Sequence, residues 1–563
     1  MKQWLQETHS RLFELFRHFL LHFFDSDLIT ASGQTTPALI GVLTICAPWT
    51  LMIIDPLRFK YAHFSRLPTA GPYREAVRAD ELWLITLVMS SIGLLTAIKW
   101  QGLFPGLRDY RALASLPVGR WRVFAAKCMA ILVVATAAIV VFNAIPSMLF
   151  PAVSSSRWAI NRSLSARVLA LGSASAAASY FFFAAMVALE GVLLNVLKPR
   201  VFERISRILQ GLLVAAMLIL GVLSFSIQAQ VTNALLRPEL ARWLPPLWFL
   251  GLNQAMLGDS DPVMQALAHT ARMALPISLA LASLTYLVSY RRHRRLLVEA
   301  AGERVTNRRW TGAMLELLAR DPRQQAIISF ILKTLAGSGR HRMILTGYAG
   351  FGMAILLSGL IGMPKMAETE LIAACFVYVH VILLVFLLIG LRHLFSVPAE
   401  LGANWAFRVT EREGRRQWMA AVDRLALISG AAVMLAIPLP AEFRLLGWRA
   451  AAECGLSALF GLLCYESVFI SWEKLPFTCS YLPGKTPAWI VFLQLLGLVS
   501  VLPVVCAILI ASLYNRIVFA VVAAILLAAW GRIHAIRKET WGEVPLMYED
   551  LPEPEIRGLQ LGK

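Results

Sequence analysis

Leu371-Ile-Ala-Ala-Cys-Phe-Val-Tyr-Val-His-Val-Ile-Leu-Leu-Val-Phe-Leu-Leu-Ile-Gly-Leu391 is an apolar run that contains no Asp, Glu, Lys or Arg. An α-helix rises 1.5 Å per residue, so about 20 residues cross the roughly 30 Å hydrocarbon core of a bilayer. A run of this length and composition predicts a membrane-spanning helix, with His380 well inside it.

The composition of the whole chain leads to the same prediction. Its 563 residues are 58% hydrophobic and 15% charged, whereas soluble domains are about 45–50% apolar and about 25% charged. This composition excludes a water-soluble enzyme, a disordered chain and a secreted disulfide scaffold.

The net charge of +19 indicates basic cytoplasmic loops in a membrane protein, so we expect a lipid bilayer and not a nucleic acid as partner. Six of the seven cysteines lie in apolar runs and none forms a CxxC pair, which predicts neither a disulfide framework nor a metal site.

Hydropathy predicts an all-α polytopic membrane protein with about twelve transmembrane helices in two six-helix halves. The predicted spans lie near 36–54, 82–98, 128–149, 168–196, 208–226, 273–290, 343–361, 371–391, 419–437, 450–470, 489–513 and 517–530.

Five segments follow from this division. They are an N-terminal amphipathic cytoplasmic segment (1–35), a first transmembrane half (36–290), a basic cytoplasmic connection (291–342), a second transmembrane half (343–530) and a cytoplasmic C-terminal tail (531–563). With both termini in the cytoplasm, most of the 53 Lys and Arg residues lie on the cytoplasmic side, as the positive-inside rule requires. Segment 55–81 is the exception, with five basic residues on the opposite side.

Motifs of catalysis are lacking. The sequence contains no HExxH and no GxSxG, and Pro483-Gly484-Lys485-Thr486 lacks the earlier glycine of a phosphate-binding loop, because Cys479 stands there. We therefore predict no catalytic residue, no cofactor-binding residue and no ATP-binding domain in this chain.

Ionisable residues inside or near the predicted spans are candidates for a functional role, because a charge near the bilayer centre costs at least about 2.5 kcal/mol. These residues are Glu190, His380, Asp423, Arg424, Glu453 and Glu466. The alternative is structural: interhelical hydrogen bonds, or side chains that reach the headgroups.

Two cytoplasmic connections combine apolar and basic residues. In 103–122, apolar side chains at spacings of three form a stripe on a short predicted helix, and 396–418 mixes tryptophans with arginines. The helix in 103–122 rests on a membrane or docks into a groove of a partner, and the sequence alone leaves both possibilities open. For 396–418 the alternative to a functional role is a solvated basic face.

The same connections resemble those of ATP-binding-cassette (ABC) exporter permeases of the type-2 class, in their double-length bacterial form. The residues that carry the resemblance are Asp109-Tyr-Arg-Ala-Leu-Ala-Ser-Leu-Pro-Val118, which leads into Ala126-Lys127, and Pro398-Ala-Glu-Leu-Gly-Ala-Asn-Trp-Ala-Phe-Arg408. The resemblance implies a coupling helix in each half that contacts a separate, soluble ATPase subunit, which would bind and hydrolyse the ATP. The implied coupling positions are Asp109, Tyr110, Leu113, Leu116 and Pro117 in the first half and Pro398, Glu400, Trp405 and Arg408 in the second. Unlike ordinary permeases of the class, which have six spans and dimerise, this chain holds both halves.

Three functions are compatible with these patterns. The first is the permease subunit of an ATP-driven exporter in the bacterial cytoplasmic membrane, with an unknown substrate. The second is a secondary transporter that needs no ATPase, and the third is a membrane enzyme acting on lipid-linked substrates.

Overall fold

A computed structural model describes most of the chain. The described residues are 12–20, 57–104, 120–161, 163–227, 243–299, 319, 321–363, 368–399, 404–410, 415–435, 439–470, 472, 474–478 and 488–543. Within these ranges the regular structure is helical and contains no β-strand. The described residues form two compact units: the first holds the residues up to 299 together with 488–497, and the second holds 319–478 and 498–543.

The first unit contains eight described α-helices and a short 3-10 helix at Trp100–Gly102. The α-helices are α1 (12–20), α2 (57–66), α3 (Gly71–Ile98), α4 (Arg120–Val153), α5 (Leu164–Val196), α6 (Pro199–Ile227), α7 (Pro245–Leu257) and α8 (Pro262–Glu299).

The second unit contains nine described helices. They are α9 (Pro322–Gly337), α10 (Gly339–Ile361), α11 (Glu368–Ser396), α12 (Asn404–Thr410), α13 (Arg415–Leu435), α14 (Leu439–Leu446), α15 (Arg449–Phe469), α16 (Ala488–Tyr514, of which Leu498 onward belongs to this unit) and α17 (Arg516–Glu543).

Among the described helices, nine are long and apolar enough to cross a membrane. This confirms the prediction of an all-α protein built from membrane-spanning helices; twelve spans in two six-helix halves stay a prediction. The run 36–54 lies outside the described residues. The run 419–437 is mostly helical in α13, but α13 is less apolar because it contains Asp423 and several arginines.

Local sequence explains where several helices begin and end. Ser163 precedes α5 and its hydroxyl accepts from the amide of Ala166, while the carboxylate of Asp321 accepts from the amide of Arg323 at the start of α9. Such residues satisfy amide groups that have no partner within the helix. At the end of α7, Gly258 has a φ of +89°, a conformation that glycine adopts without steric cost.

The first unit packs around α3, whose Ile85, Met89 and Ile92 are fully buried. Helix α7 lies in a region interpreted from the sequence as a loop. It contacts α8 so closely that a Cβ atom built on Gly251 would lie 2.5 Å from the Cβ of Leu267. A glycine at this position therefore permits the close approach of the two helices.

Helix α1 lies within the predicted amphipathic segment 1–35. Leu15 and Phe19 are buried against Ala126 and Ala130 of α4, whereas Phe13 is exposed. The described part of the segment therefore has one apolar face that packs on a neighbouring helix, whereas its cytoplasmic location stays a prediction.

An aromatic cluster lies in the core of the second unit. Phe395 at the end of α11 contacts Phe469, Trp472 and Phe477, with ring centroids 5.9–6.3 Å apart. Aromatic pairs at these separations contribute about 0.5–1.5 kcal/mol beyond the burial of their surface. This cluster joins the ends of α11 and α15 and positions the segment that leads into α12.

Candidate functional site

Helix α12, the short helix within the second predicted coupling segment, is anchored at its first residue. Asn404 is buried, and its side-chain Nδ2 donates a hydrogen bond of 2.6 Å to the backbone oxygen of Thr478. A buried amide that satisfies a backbone carbonyl is expensive to remove, because the carbonyl loses this donor. Asn404 therefore ties the start of α12 to the segment after α15.

One face of α12 packs on the body of the second unit. The ring of Phe407 lies 5.0 Å from that of Phe330 in α9 and 6.0 Å from that of Trp418 in α13, measured between ring centroids. Both contacts are edge-to-face, the arrangement that the aromatic quadrupole favours. Phe407 thus fixes the rotation of α12 about its own axis.

The other face of α12 is apolar and exposed. Trp405 and Val409 have relative exposures of 67% and 69%. They are four residues apart, so their side chains are neighbours on one face of the helix. Because Phe407 faces the core between them, the anchored helix presents a tryptophan and a valine away from the core.

The backbone before α12 is held by hydrogen bonds to the turn at Phe477. The amide of Phe477 donates to the oxygen of Phe395 at 3.0 Å, and the amide of Ala399 donates to the oxygen of Phe477 at 3.1 Å. His341 Nε2 lies 3.0 Å from the oxygen of Val397. Phe477 has a φ of +69°, a sparsely populated conformation for a bulky residue, which persists because these bonds and its packing hold it.

The structure describes only part of the predicted coupling positions. Pro398 is half-buried in the segment before α12, Trp405 is exposed on α12, and Arg408 lies within α12. Six other positions lie outside the described residues: Asp109, Tyr110, Leu113, Leu116, Pro117 and Glu400.

Two of the predicted intramembrane residues, Asp423 and Glu466, belong to one charge network. Arg537 in α17 donates to Asp423 Oδ1 at 2.7 Å and to Glu466 Oε2 at 2.9 Å. His534 Nδ1 lies 2.8 Å from Glu466 Oε1, and the hydroxyl of Tyr465 donates to Asp423. The network joins α13, α15 and α17, and its carboxylates and guanidinium compensate one another.

The remaining predicted residues have different environments. Arg424, next to Asp423, has an exposed side chain. Glu190 in α5 is buried, and its Oε2 has no hydrogen-bond partner. His380 is fully buried in α11, where its Nδ1 lies 3.0 Å from both carboxylate oxygens of Glu453 in α15. Among these predicted residues, the structure therefore brings together Asp423 with Glu466, through Arg537, and His380 with Glu453, by direct contact.

A polar cluster in the first unit was not predicted from the sequence. Lys60 Nζ donates to Asp80 Oδ1 at 2.8 Å, and the hydroxyl of Tyr61 donates to the same carboxylate at 2.5 Å. Burial, followed by the charge of Asp80, raises the pKa of Tyr61 well above its usual value, so this phenol stays a donor. Nearby, Gln254 of α7 donates to the buried carboxylate of Glu81.

The partners in these networks had weak signals in the sequence. Arg537 and His534 are three residues apart, so they share a face of α17, and this spacing next to an apolar run is a signal that could have identified them. Lys60 and Asp80 belong to different helices, and no local pattern joins them.

Comparison of the chain with known protein families, with curated proteins and with solved structures finds no match. The functional interpretation therefore depends on the geometry of the site and on the chemistry of its residues.

Proposed function

We propose that this chain is the transmembrane permease subunit of an ABC-type exporter in the bacterial cytoplasmic membrane. Both termini lie in the cytoplasm, and a separate soluble ATPase subunit supplies the energy of ATP hydrolysis. The observation that carries the proposal is α12, which is anchored through Asn404 and Phe407 and exposes Trp405 and Val409 on its opposite face.

The anchoring of α12 suits a helix that transmits force. A displacement of α12 is transferred to α9 and α13 through Phe407 and to the end of α11 through the hydrogen bonds at Phe477. Closure of an ATPase on the exposed face therefore shifts the packing of several apolar helices. Such coupling requires that the partner contact α12 differently in its two nucleotide states.

The exposed pair also suits protein recognition. Tryptophan is enriched among the interface residues that contribute most to binding, because it buries a large area with few rotatable bonds. A rigidly held helix loses little conformational freedom when it docks, which favours affinity. We infer that Trp405 inserts into a groove of the ATPase, with Val409 beside it.

The experiment is co-purification of the full chain with its ATPase, followed by measurement of ATP hydrolysis. Trp405→Ala is expected to reduce ATPase recovery and transport-coupled hydrolysis about tenfold or more, as removal of a central interface tryptophan does. Trp448→Ala is the matched control, since Trp448 is also exposed, at 89%, and the proposed topology places it on the other side of the membrane.

Two results would contradict the proposal. One is recovery of the wild-type chain without any ATPase from cells in which it is active. The other is an equal effect of the Trp405 and Trp448 substitutions on coupled hydrolysis.

A secondary transporter is the alternative that one observation favours. Asp423, Glu466 and Arg537 form a charge network between helices, the kind of group that carries protons or ions in such carriers. Transport that collapses with an uncoupler but is unaffected by depletion of ATP would support this alternative. Turnover of a lipid-linked substrate by the purified chain alone would instead support a membrane enzyme.

A further inference from the structure

Four metal-binding side chains from three helices meet in the second unit. They are His380 of α11, Glu442 of α14, and Glu453 and Cys454 of α15. His380, Glu442 and Glu453 are at most 1% exposed, and Cys454 is partly buried. One ligand atom of each residue lies within 4.8 Å of the ligand atoms of the other three.

The imidazole of His380 has a defined orientation. Its Nδ1 lies 3.0 Å from both oxygens of Glu453, and Glu453 also accepts a hydrogen bond of 2.7 Å from the hydroxyl of Ser457. Because a carboxylate only accepts, Nδ1 carries a proton, and in the neutral imidazole Nε2 carries a lone pair. A carboxylate that holds one imidazole nitrogen in this way is the usual support of a metal-binding histidine.

The lone pair on His380 Nε2 is buried without a hydrogen-bond partner. The carboxylate of Glu442 lies on this side of the ring, with its Oε2 3.9 Å from Nε2, and Glu442 Oε1 also has no hydrogen-bond partner. The imidazole nitrogen and one oxygen of this carboxylate are thus buried acceptors without a donor, which is unfavourable. A cation between them would satisfy both.

We propose that this cluster binds a divalent transition-metal ion and that it prefers Zn²⁺. The ligands are His380 Nε2, a carboxylate oxygen of Glu442 and the sulfur of Cys454, and Glu453 orients the imidazole. The thiol of Cys454, whose sulfur lies 3.3 Å from Glu442 Oε2, releases its proton to solvent when the metal binds. The carboxylate of Glu442 and the thiolate of Cys454 then balance the two positive charges of the metal ion.

The donor set selects the metal. Nitrogen, sulfur and oxygen ligands together suit Zn²⁺, whereas Ca²⁺ and Mg²⁺ prefer oxygen ligands alone. Bond lengths of about 2.0–2.3 Å in a tetrahedral site place neighbouring ligand atoms about 3.3–3.8 Å apart. The separations of 3.3 Å and 3.9 Å already present around Glu442 lie close to this range, so small side-chain rotations complete the site.

The test is metal binding by the full chain in detergent. The protein is stripped with EDTA, dialysed against Zn²⁺ and then against buffer, and its zinc content is measured by mass spectrometry. We expect about one Zn²⁺ per wild-type chain. Glu442→Gln and Cys454→Ser should retain about tenfold less Zn²⁺ or even less, because the loss of a ligand weakens the affinity for the metal. Glu190→Gln and Cys464→Ser are the matched controls, since both alter a buried or partly buried group of the same type outside the cluster.

Cobalt provides a second measurement that does not depend on stability. Co²⁺ bound by the wild-type chain is expected to show a thiolate-to-metal charge-transfer band that disappears in Cys454→Ser, while each variant keeps its gel-filtration profile. The proposal is overturned if the wild-type chain retains no Zn²⁺ after dialysis. It is equally overturned if the Glu442 and Cys454 variants, judged folded by gel filtration, bind as much metal as the two controls.

Discussion

Arg537 and Asp423 are 114 positions apart in the sequence, and their side chains form an ion pair of 2.7 Å between α17 and α13. The second terminal nitrogen of the same guanidinium bonds Glu466 of α15. One planar group with a fixed fork of donors therefore joins three helices, a geometry that lysine cannot reproduce.

Removal of this guanidinium is expected to destabilise the second unit strongly. Arg537→Met leaves two carboxylates close together without a counter-charge, and breaking a buried pair in this way costs about 3–5 kcal/mol. We expect a marked fall in the unfolding temperature of the detergent-solubilised protein. Arg532→Met is the matched control, because Arg532 is exposed on the same helix.

Neutralisation of Asp423 and Glu466 should restore part of the stability that Arg537→Met removes. The triple variant that combines Arg537→Met with Asp423→Asn and Glu466→Gln no longer contains an unpaired charge and should unfold at a higher temperature than Arg537→Met alone. If Arg537→Met and Arg532→Met unfold at the same temperature, the network makes no contribution to stability.

The close contact between α7 and α8 leads to a second prediction. Gly251→Ala places a methyl group 2.5 Å from the Cβ of Leu267 and 2.7 Å from the oxygen of Met264, which forces the helices apart and costs about 1–3 kcal/mol. Gly172→Ala meets Ser147 at an ordinary 3.5 Å and is expected to be neutral. Thermal unfolding of the two variants tests the difference, and equal effects would show that the two helices separate easily.

The anchoring of α12 by Asn404 can be tested separately from the role of its exposed Trp405. Asn404→Ala leaves the oxygen of Thr478 without this donor, a loss of about 1–3 kcal/mol, so amide exchange in α12 should accelerate about fivefold or more. Trp405→Ala removes an exposed side chain and should leave the exchange rate unchanged. Hydrogen–deuterium exchange of residues 404–410 measures both, and a similar acceleration in the two variants would contradict the anchoring role.

Substitution of Glu190 tests whether this buried residue has a structural role or a direct role in transport. Its buried Oε2 has no hydrogen-bond partner, so Glu190→Gln removes a group with a large desolvation cost and should keep or raise the unfolding temperature. Transport activity that persists in this variant indicates a structural residue. A loss of transport in a variant that is at least as stable indicates a direct role.

Most helices in the described residues could be predicted from hydropathy, because apolar length is a local property of the sequence. The run 371–391 lies within α11, and the run 450–470 differs from Arg449–Phe469 by one residue at each end. The predicted last span ended at 530, where the charged residues begin, yet α17 continues to Glu543. Helix α17 therefore does not end where its hydropathy falls. Its extension beyond residue 530 supplies Arg537 to the network.

The partners of the polar residues could not be predicted, because pairing depends on which helices pack together. Asp423 and Glu466 were identified by their position near apolar runs, but their shared partner is more than 70 residues away from each. Glu442 lies between the predicted spans 419–437 and 450–470, and the sequence contains no metal-ligand spacing that relates it to His380. The anchor of α12 was also missed, since it depends on a backbone oxygen at Thr478.

The turn at Phe477 has a consequence for synthesis of the protein. Its hydrogen bonds with Phe395 and Ala399 join segments that leave the ribosome roughly 80 residues apart, or about 4–16 seconds at typical elongation rates. Until the later segment emerges, the earlier one lacks the bonds that hold it in place. Recruitment of the proposed ATPase to a nascent chain would therefore be delayed until both segments are present, and a product truncated ahead of Leu475 would compete poorly for that proposed partner.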